Sequence, residues 1–203
     1  SISCVGNYGL GTSFAWKNFS DLKGHKLAGA GANLNWIKGA TPVSSNLNEA
    51  YNAIQTGVYE GYIIFPGSWY GFKLHEVGKY FTKTDFGAMA IHAMTINLNK
   101  WKKLDKDVQN ILIEMGKEFS NKVAEECVNF GIKGEAKLKS GGVTISQITP
   151  EAKAEWCEAV KEFPNKMAQD ANNRGLPGSE VMRYYITTIE NMGYKFPCKY
   201  EIK

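Results

Sequence analysis

A chain of 203 residues, 43% hydrophobic and 22% charged, is long enough to bury roughly 70% of its unfolded surface and to fold without staples. This balance excludes a disordered, collagen-like or fibrous chain, and no stretch approaches the 18 consecutive apolar residues of a membrane-spanning helix. The net charge of +4 rests on lysines scattered among nearly as many acids, with Arg174 and Arg183 the only arginines. That pattern describes a solvated surface rather than a nucleic-acid-binding face.

Residues 4–16 mix glycine with Tyr8, Phe14 and Trp16 and read as an extended segment. Leu22 to Ala28 reads as a turn feeding a short strand, followed by the small-residue loop Gly29 to Asn33 and a short helix over Leu34 to Lys38. Thr41 to Ser45 reads as a further strand and loop. Leu47, Ala50, Tyr51 and Ile54 then fall on one face of a helix, with Asn46 and Glu49 resembling a capping box and Gly57 as the stop. Tyr62 to Phe65 is a short apolar strand ended by Pro66-Gly67, and Ser68 is the expected cap of the next helix. Met89 to Leu98 reads as a buried strand. Strands and helices thus alternate through the first hundred residues, as in an α/β sheet.

The second hundred are mostly helical. Asp105 caps a helix running toward Lys139 with Val108, Ile111, Leu112, Met115, Phe119 and Val123 as its apolar stripe, and Gly131 and Gly134 are candidate breaks. Gly141-Gly142 ends it, Val143 to Ile145 forms a brief strand, and Thr149-Pro150 starts a helix to about Asn172. A last helix covers Ser179 to Asn191.

Catalysis has no visible constellation. Gly67 to Gly71 spells G-S-W-Y-G, with serine one place away from the centre that a nucleophile elbow requires. Glu125 and Glu126 diverge around a helix and cannot share a substrate. Cys4, Cys127, Cys157 and Cys198 show no CxxC, and His25, His75 and His92 lie in unrelated segments, so no metal or cofactor site is expected. Buried free thiols are the expected state; one disulfide stays open if the compartment is oxidising, with partners unreadable from spacing. The Gly29 to Asn33 loop is either a carboxylate cradle of backbone amides or a tightly packed turn. Phe65, Trp69 and Tyr70, beside a strand end, are either pocket wall or core.

Three stretches together resemble the periplasmic solute-binding subunit of TRAP transporters, the dicarboxylate-binding type. Asp21-Leu22-Lys23-Gly24-His25-Lys26-Leu27 is similar to the family's D-L-K-G-x-K-[IL] entry to its second lobe. Gly39 to Val43, then Glu49-Ala50-Tyr51, Gln55 to Val58 and Glu60-Gly61, is similar to its G-A-x-P … Q-T-G-x-[VY]-[DE]-G run. Lys73 to Val77 through Tyr80-Phe81, and Asp105 to Gln109, resemble its K-x-[YH]-E-V segment and the start of its long helix.

The resemblance implies an α/β fold, a periplasmic-binding-protein-like lobe with a mixed sheet flanked by helices, a long spine helix and C-terminal helices. It implies a binder rather than an enzyme, closing on a small organic acid by a hinge motion and delivering it to the TRAP membrane permease subunits. On this reading residues 1–20 cross a hinge, 21–98 form the second lobe, 99–140 the spine helix and 141–203 a C-terminal strand and helices. A spine packed on both lobes would have a stripe that is mostly core. Only twenty residues precede the D-L-K-G motif, so most of the N-terminal lobe is expected to lie outside this chain, as is the signal peptide of a periplasmic protein.

Two departures bear on the ligand. Ala28 stands where the family has an arginine that pairs with the substrate carboxylate, and Lys26, on the opposite face of the strand, is no replacement. Phe65 stands in place of an asparagine. Both changes are toward apolar, and point to a solute bulkier or more hydrophobic than a dicarboxylate. The candidate ligand contacts are Ala28, Gly29, Asn33, Asn46, Phe65, Trp69, Tyr70 and Phe86. The competing readings are a hydrolase-like enzyme using Ser68 or a cysteine, and a helical interaction module using the long helix.

Overall fold

The computed structural model describes residues 2–4, 6–87 and 91–203. In chain order the elements are β1 (Ile2–Cys4), β2 (Gly9–Thr12), β3 (Lys26–Gly29), β4 (Thr41–Ser44), α1 (Ala50–Gln55), β5 (Gly61–Ile64), α2 (Pro66–Gly71), α3 (Leu74–Val77) and β6 (Tyr80–Lys83). They continue with β7 (Ile91–Ala93), α4 (Leu98–Trp101), α5 (Lys106–Ser140), β8 (Thr144–Gln147), α6 (Pro150–Val160), α7 (Glu162–Asn172) and α8 (Gly178–Asn191).

Six strands form one mixed sheet in the order β4-β3-β5-β2-β6-β8. β3 runs parallel to β4 and β5, β6 runs parallel to β8, and β2 runs against both its neighbours, β5 and β6. The carboxyl ends of β3, β4, β5, β6 and β8 therefore share one edge with the start of β2. Side chains alternate across the sheet, as a period of two requires. Leu27 and Ile63 join Leu10, Leu22 and Trp156 on one face, while Ala28, Tyr62 and Ile64 join Trp69, Phe81 and Leu138 on the other. β2 owes its glycines to these layers: a Cβ on Gly11 would lie 2.4 Å from the Trp69 ring, and one on Gly9 would lie 2.7 Å from Phe81.

α5 runs unbroken for 35 residues, on the order of 50 Å. Gly131 and Gly134 do not interrupt it. A Cβ on Gly134 would sit 2.4 Å from the Gly67 nitrogen, and one on Gly67 would sit 2.3 Å from the Phe130 ring. These glycines let α2 and α5 touch backbone to backbone. The N-terminal half behaves otherwise: Val108, Ile111, Leu112, Met115 and Phe119 are exposed, Met115 by 61%, so the stripe expected as core lies bare in this chain.

Four further expectations are corrected. Ser68 does not cap α2; Pro66 occupies its first position, where the fixed proline φ suits a helix start, and Ser68 lies inside. The strand near residue 90 is three residues long and pairs with β1 in a separate two-stranded sheet. Met94, Ile96 and Leu98 beyond it are exposed rather than buried, and Met89 lies outside the described residues. The helix from Thr149 does begin there, with the threonine hydroxyl accepting from the Ala152 amide at 3.1 Å. It divides at Lys161 into α6 and α7, because Pro164 has no amide to donate and crowds the carbonyl four residues back. Finally, Cys157 and Cys198 form a disulfide rather than remaining free thiols. The segment after α8 folds back along α6 and α7, which brings two cysteines 41 positions apart to a Cα separation of 5.7 Å.

Candidate functional site

In α/β sheets ligands gather at the carboxyl ends of the strands, where helix starts and loops converge. Here that edge carries Asn7 and Tyr8 before β2, Ala30 to Asn33 after β3, Ser45 and Asn46 after β4, Phe65 after β5 and Asp85 and Phe86 after β6. A cleft of about 440 Å³ opens between it and the middle of α5, walled by Tyr8, Phe65, Phe130, Lys83, Asp85 and Glu135. Its apolar side is firm: the Tyr8 and Phe65 rings lie 4.7 Å apart.

Its polar side is cross-linked. Lys83 Nζ pairs with Glu135 Oε1 at 3.0 Å, joining the end of β6 to α5. Asn7 Nδ2 donates to Asp85 Oδ1 at 3.1 Å while Asn7 Oδ1 accepts from the Gly87 amide at 2.9 Å. The Gln147 side-chain amide donates to the other Asp85 oxygen and to the Lys83 carbonyl, the latter at 3.1 Å. Asp85 holds a left-handed φ of 52°, uncommon for any residue but glycine and of the kind that clusters at functional sites.

The sequence candidates divide between this edge and elsewhere. Ala28 is fully buried, flanked in register by Val43 and Tyr62. The Tyr62 hydroxyl donates to the Ser45 carbonyl at 2.7 Å, and the Tyr59 and Ser45 hydroxyls share a bond of 2.9 Å. Burial pushes the Tyr62 phenol up to about 12, so this corner is neutral as well as closed. Gly29 packs on Asn33, whose Cβ lies 3.3 Å from where a glycine Cβ would stand. Asn46 is exposed and accepts from the Asn48 amide at 3.0 Å, capping a single 3-10 turn ahead of α1. Phe65 lines the cleft, whereas Phe86 stands against Trp36 and Trp156 in a second cavity.

Trp69 is corrected to core: it is fully buried and its Nε1 donates to the Gly78 carbonyl at 3.2 Å. Tyr70 stacks on His75 at 4.5 Å with Lys137 Nζ 5.3 Å from its ring centre, and it does not line the cleft that Phe65 walls. Lys83, Asp85 and Glu135 line the cleft but are absent from the sequence candidates. The alternation Phe81, Lys83, Asp85 marks one strand face, but nothing in the sequence joins it to Glu135, 52 positions on.

The profile of a family described as bacterial extracellular solute-binding protein, family 7, matches residues 12–170. The chain belongs to that family. It is 31% identical over 134 residues to a solute-binding protein of Sulfitobacter sp. (strain NAS-14.1), a match covering 64% of this chain and 40% of that protein. To the C4-dicarboxylate-binding periplasmic protein DctP of Rhodobacter capsulatus it is 29% identical over 126 residues, covering 60% and 37%. A TRAP periplasmic solute-binding protein of Desulfovibrio salexigens superposes with a TM-score of 0.84 at 20% identity, covering 98% of this chain and 62% of that one. The matches thus span about two fifths of the curated relatives' length. Family membership carries the mixed-sheet, periplasmic-binding-protein fold with it.

Proposed function

We propose that this chain is the second lobe, with its hinge-crossing segments, of an extracytoplasmic solute-binding protein that captures a small organic acid for a TRAP-type permease. The observation that carries this reading is the cleft at the carboxyl edge of a sheet belonging to solute-binding family 7. It is a binding site: its charged groups tie the walls together, and Ser68, the candidate nucleophile, lies within α2 rather than at an exposed elbow. A first lobe preceding residue 1 would cover the bare half of α5 and the β1–β7 pair. The Cys157–Cys198 disulfide favours an oxidising compartment such as the periplasm.

The solute is bulkier or more hydrophobic than a dicarboxylate. Ala28 offers no cation at the end of β3, and Tyr62 closes the space beside it. The aromatic walls Tyr8, Phe65 and Phe130 favour a ligand with an apolar body. Calorimetry with succinate, malate, phenylacetate and a branched 2-oxo acid tests this. The aromatic or branched acid is expected to bind at least tenfold more tightly; succinate or malate as the tightest ligand overturns it.

A further inference from the structure

Behind the cleft lies a second cavity of about 190 Å³, and Asp85 is the one described residue that lines both. One wall is the ring series Trp36, Phe86 and Trp156, with T-shaped contacts of 5.1 and 4.8 Å. The facing wall is the series Tyr194, Phe196 and Tyr200 from the C-terminal segment, again T-shaped, at 5.1 and 5.3 Å. Edge-to-face neighbours stand nearly perpendicular, and every ring of both series carries negative potential on its π face.

The C-terminal wall is held firmly. The disulfide anchors Cys198 to α6, Asn165 Oδ1 accepts from the Lys203 amide at 2.9 Å, Gln169 Nε2 donates to the Lys203 carbonyl at 2.7 Å, and Arg183 Nη1 donates to the Ile202 carbonyl at 2.9 Å. Trp156 is fixed too, donating from Nε1 to the Trp36 carbonyl at 2.7 Å. The space between is thus preformed, with room for a small molecule rather than a single water.

Two opposite charges border it, Asp85 and Lys153. Among the described residues, Asp85 is met by the neutral amides of Asn7 and Gln147, and neither it nor Lys153 belongs to an ion pair. Aromatic walls beside a carboxylate are the surroundings that hold a methylated ammonium, whose diffuse charge needs ring faces rather than hydrogen-bond acceptors. The Lys153 ammonium on the same border answers a carboxylate.

The geometry points to a binding site for a small zwitterion, a methylated ammonium carboxylate, with its cationic end among the rings beside Asp85 and its carboxylate toward Lys153. This goes beyond the cleft reading and concerns a different cavity. Glycine betaine is the probe, titrated by tryptophan fluorescence into the 203-residue chain with its disulfide intact. Its control is 3,3-dimethylbutanoate, which has the same shape with a neutral carbon in place of the nitrogen. Betaine is expected to bind at least tenfold more tightly than the control, and Asp85→Asn or Tyr194→Leu to weaken it at least fivefold. Tyr194 is 45% exposed, so its variant tests the wall without emptying the core. Phe65→Ala, at a residue that lines the cleft and not this cavity, leaves betaine binding unchanged while weakening the organic acids above. Equal binding of the control, no betaine binding, or loss through Phe65→Ala but not Tyr194→Leu overturns the assignment.

Discussion

The two ends of α5 use similar residues in opposite ways. Toward its C-terminus Gly134 presses on the Gly67 backbone and Leu138 is fully buried, whereas toward its N-terminus Ile111, Leu112 and Met115 face solvent. A periodic stripe shows that a helix face calls for cover. It does not show where the cover comes from. In this chain the sheet and α2 cover one end, while at the other Gln109 is held by the Trp101 and Leu104 carbonyls and the apolar stripe beside it stays exposed.

Four experiments break or sharpen that contrast. The largest effect is expected where the covered region is closed covalently: Cys198→Ser opens a loop of 41 residues and costs about 4 kcal/mol on loop-entropy grounds, read from urea midpoints without reductant. A loss below about 1 kcal/mol would mean that the hydrogen bonds of Lys203 and Ile202 hold the segment unaided. Gly134→Val comes next. Its side chain meets backbone that cannot give way, so about 3 kcal/mol should be lost by the same measurement.

His75 supplies a pH-dependent test at the same end, where a Cβ on Gly141 would stand 2.9 Å from its ring. Burial, its largest cause, lowers its pKa below the ordinary 6.5. The unfolded chain then takes up the proton first, so this contribution is complete above about pH 6.5 and is lost as pH falls through the folded value. Urea midpoints at pH 7.5 and 5.5 should differ less in His75→Gln than in the parent chain, and an unchanged difference removes the group from consideration. The smallest effect belongs to the bare end. Ile111→Lys with Met115→Lys should alter stability by no more than about 0.5 kcal/mol each, while light scattering shows any self-association of the chain decrease.

The same contrast explains what was legible in the sequence. Local signals are faithful: Thr149-Pro150 starts a helix, Gly57 ends one with a φ of 73°, and Asp105 opens α5. Each depends on residues within one turn. Apolar content misleads where cover is the question: the run Met89 to Leu98 reads as a buried strand, yet Met94, Ile96 and Leu98 meet solvent. Pairings set by the finished fold left no local mark. Cys157 finds Cys198 because the last residues double back, and Lys83 finds Glu135 because Gly67 and Gly134 let two helices approach closely. Of the candidate site, Phe65 was legible through its strand end, while Asp85, the wall of both cavities, gave no signal beyond its place after a strand.

That shared wall has a thermodynamic consequence. Asp85 keeps its left-handed backbone through Asn7 on one side and Gln147 on the other, so a solute that draws its carboxylate toward one chamber alters what the other offers. Binding free energies are linked reciprocally: whatever factor an occupant behind the wall applies to affinity in front of it, the front occupant applies in return. A single aspartate would then let one solute report on another without any lobe having moved.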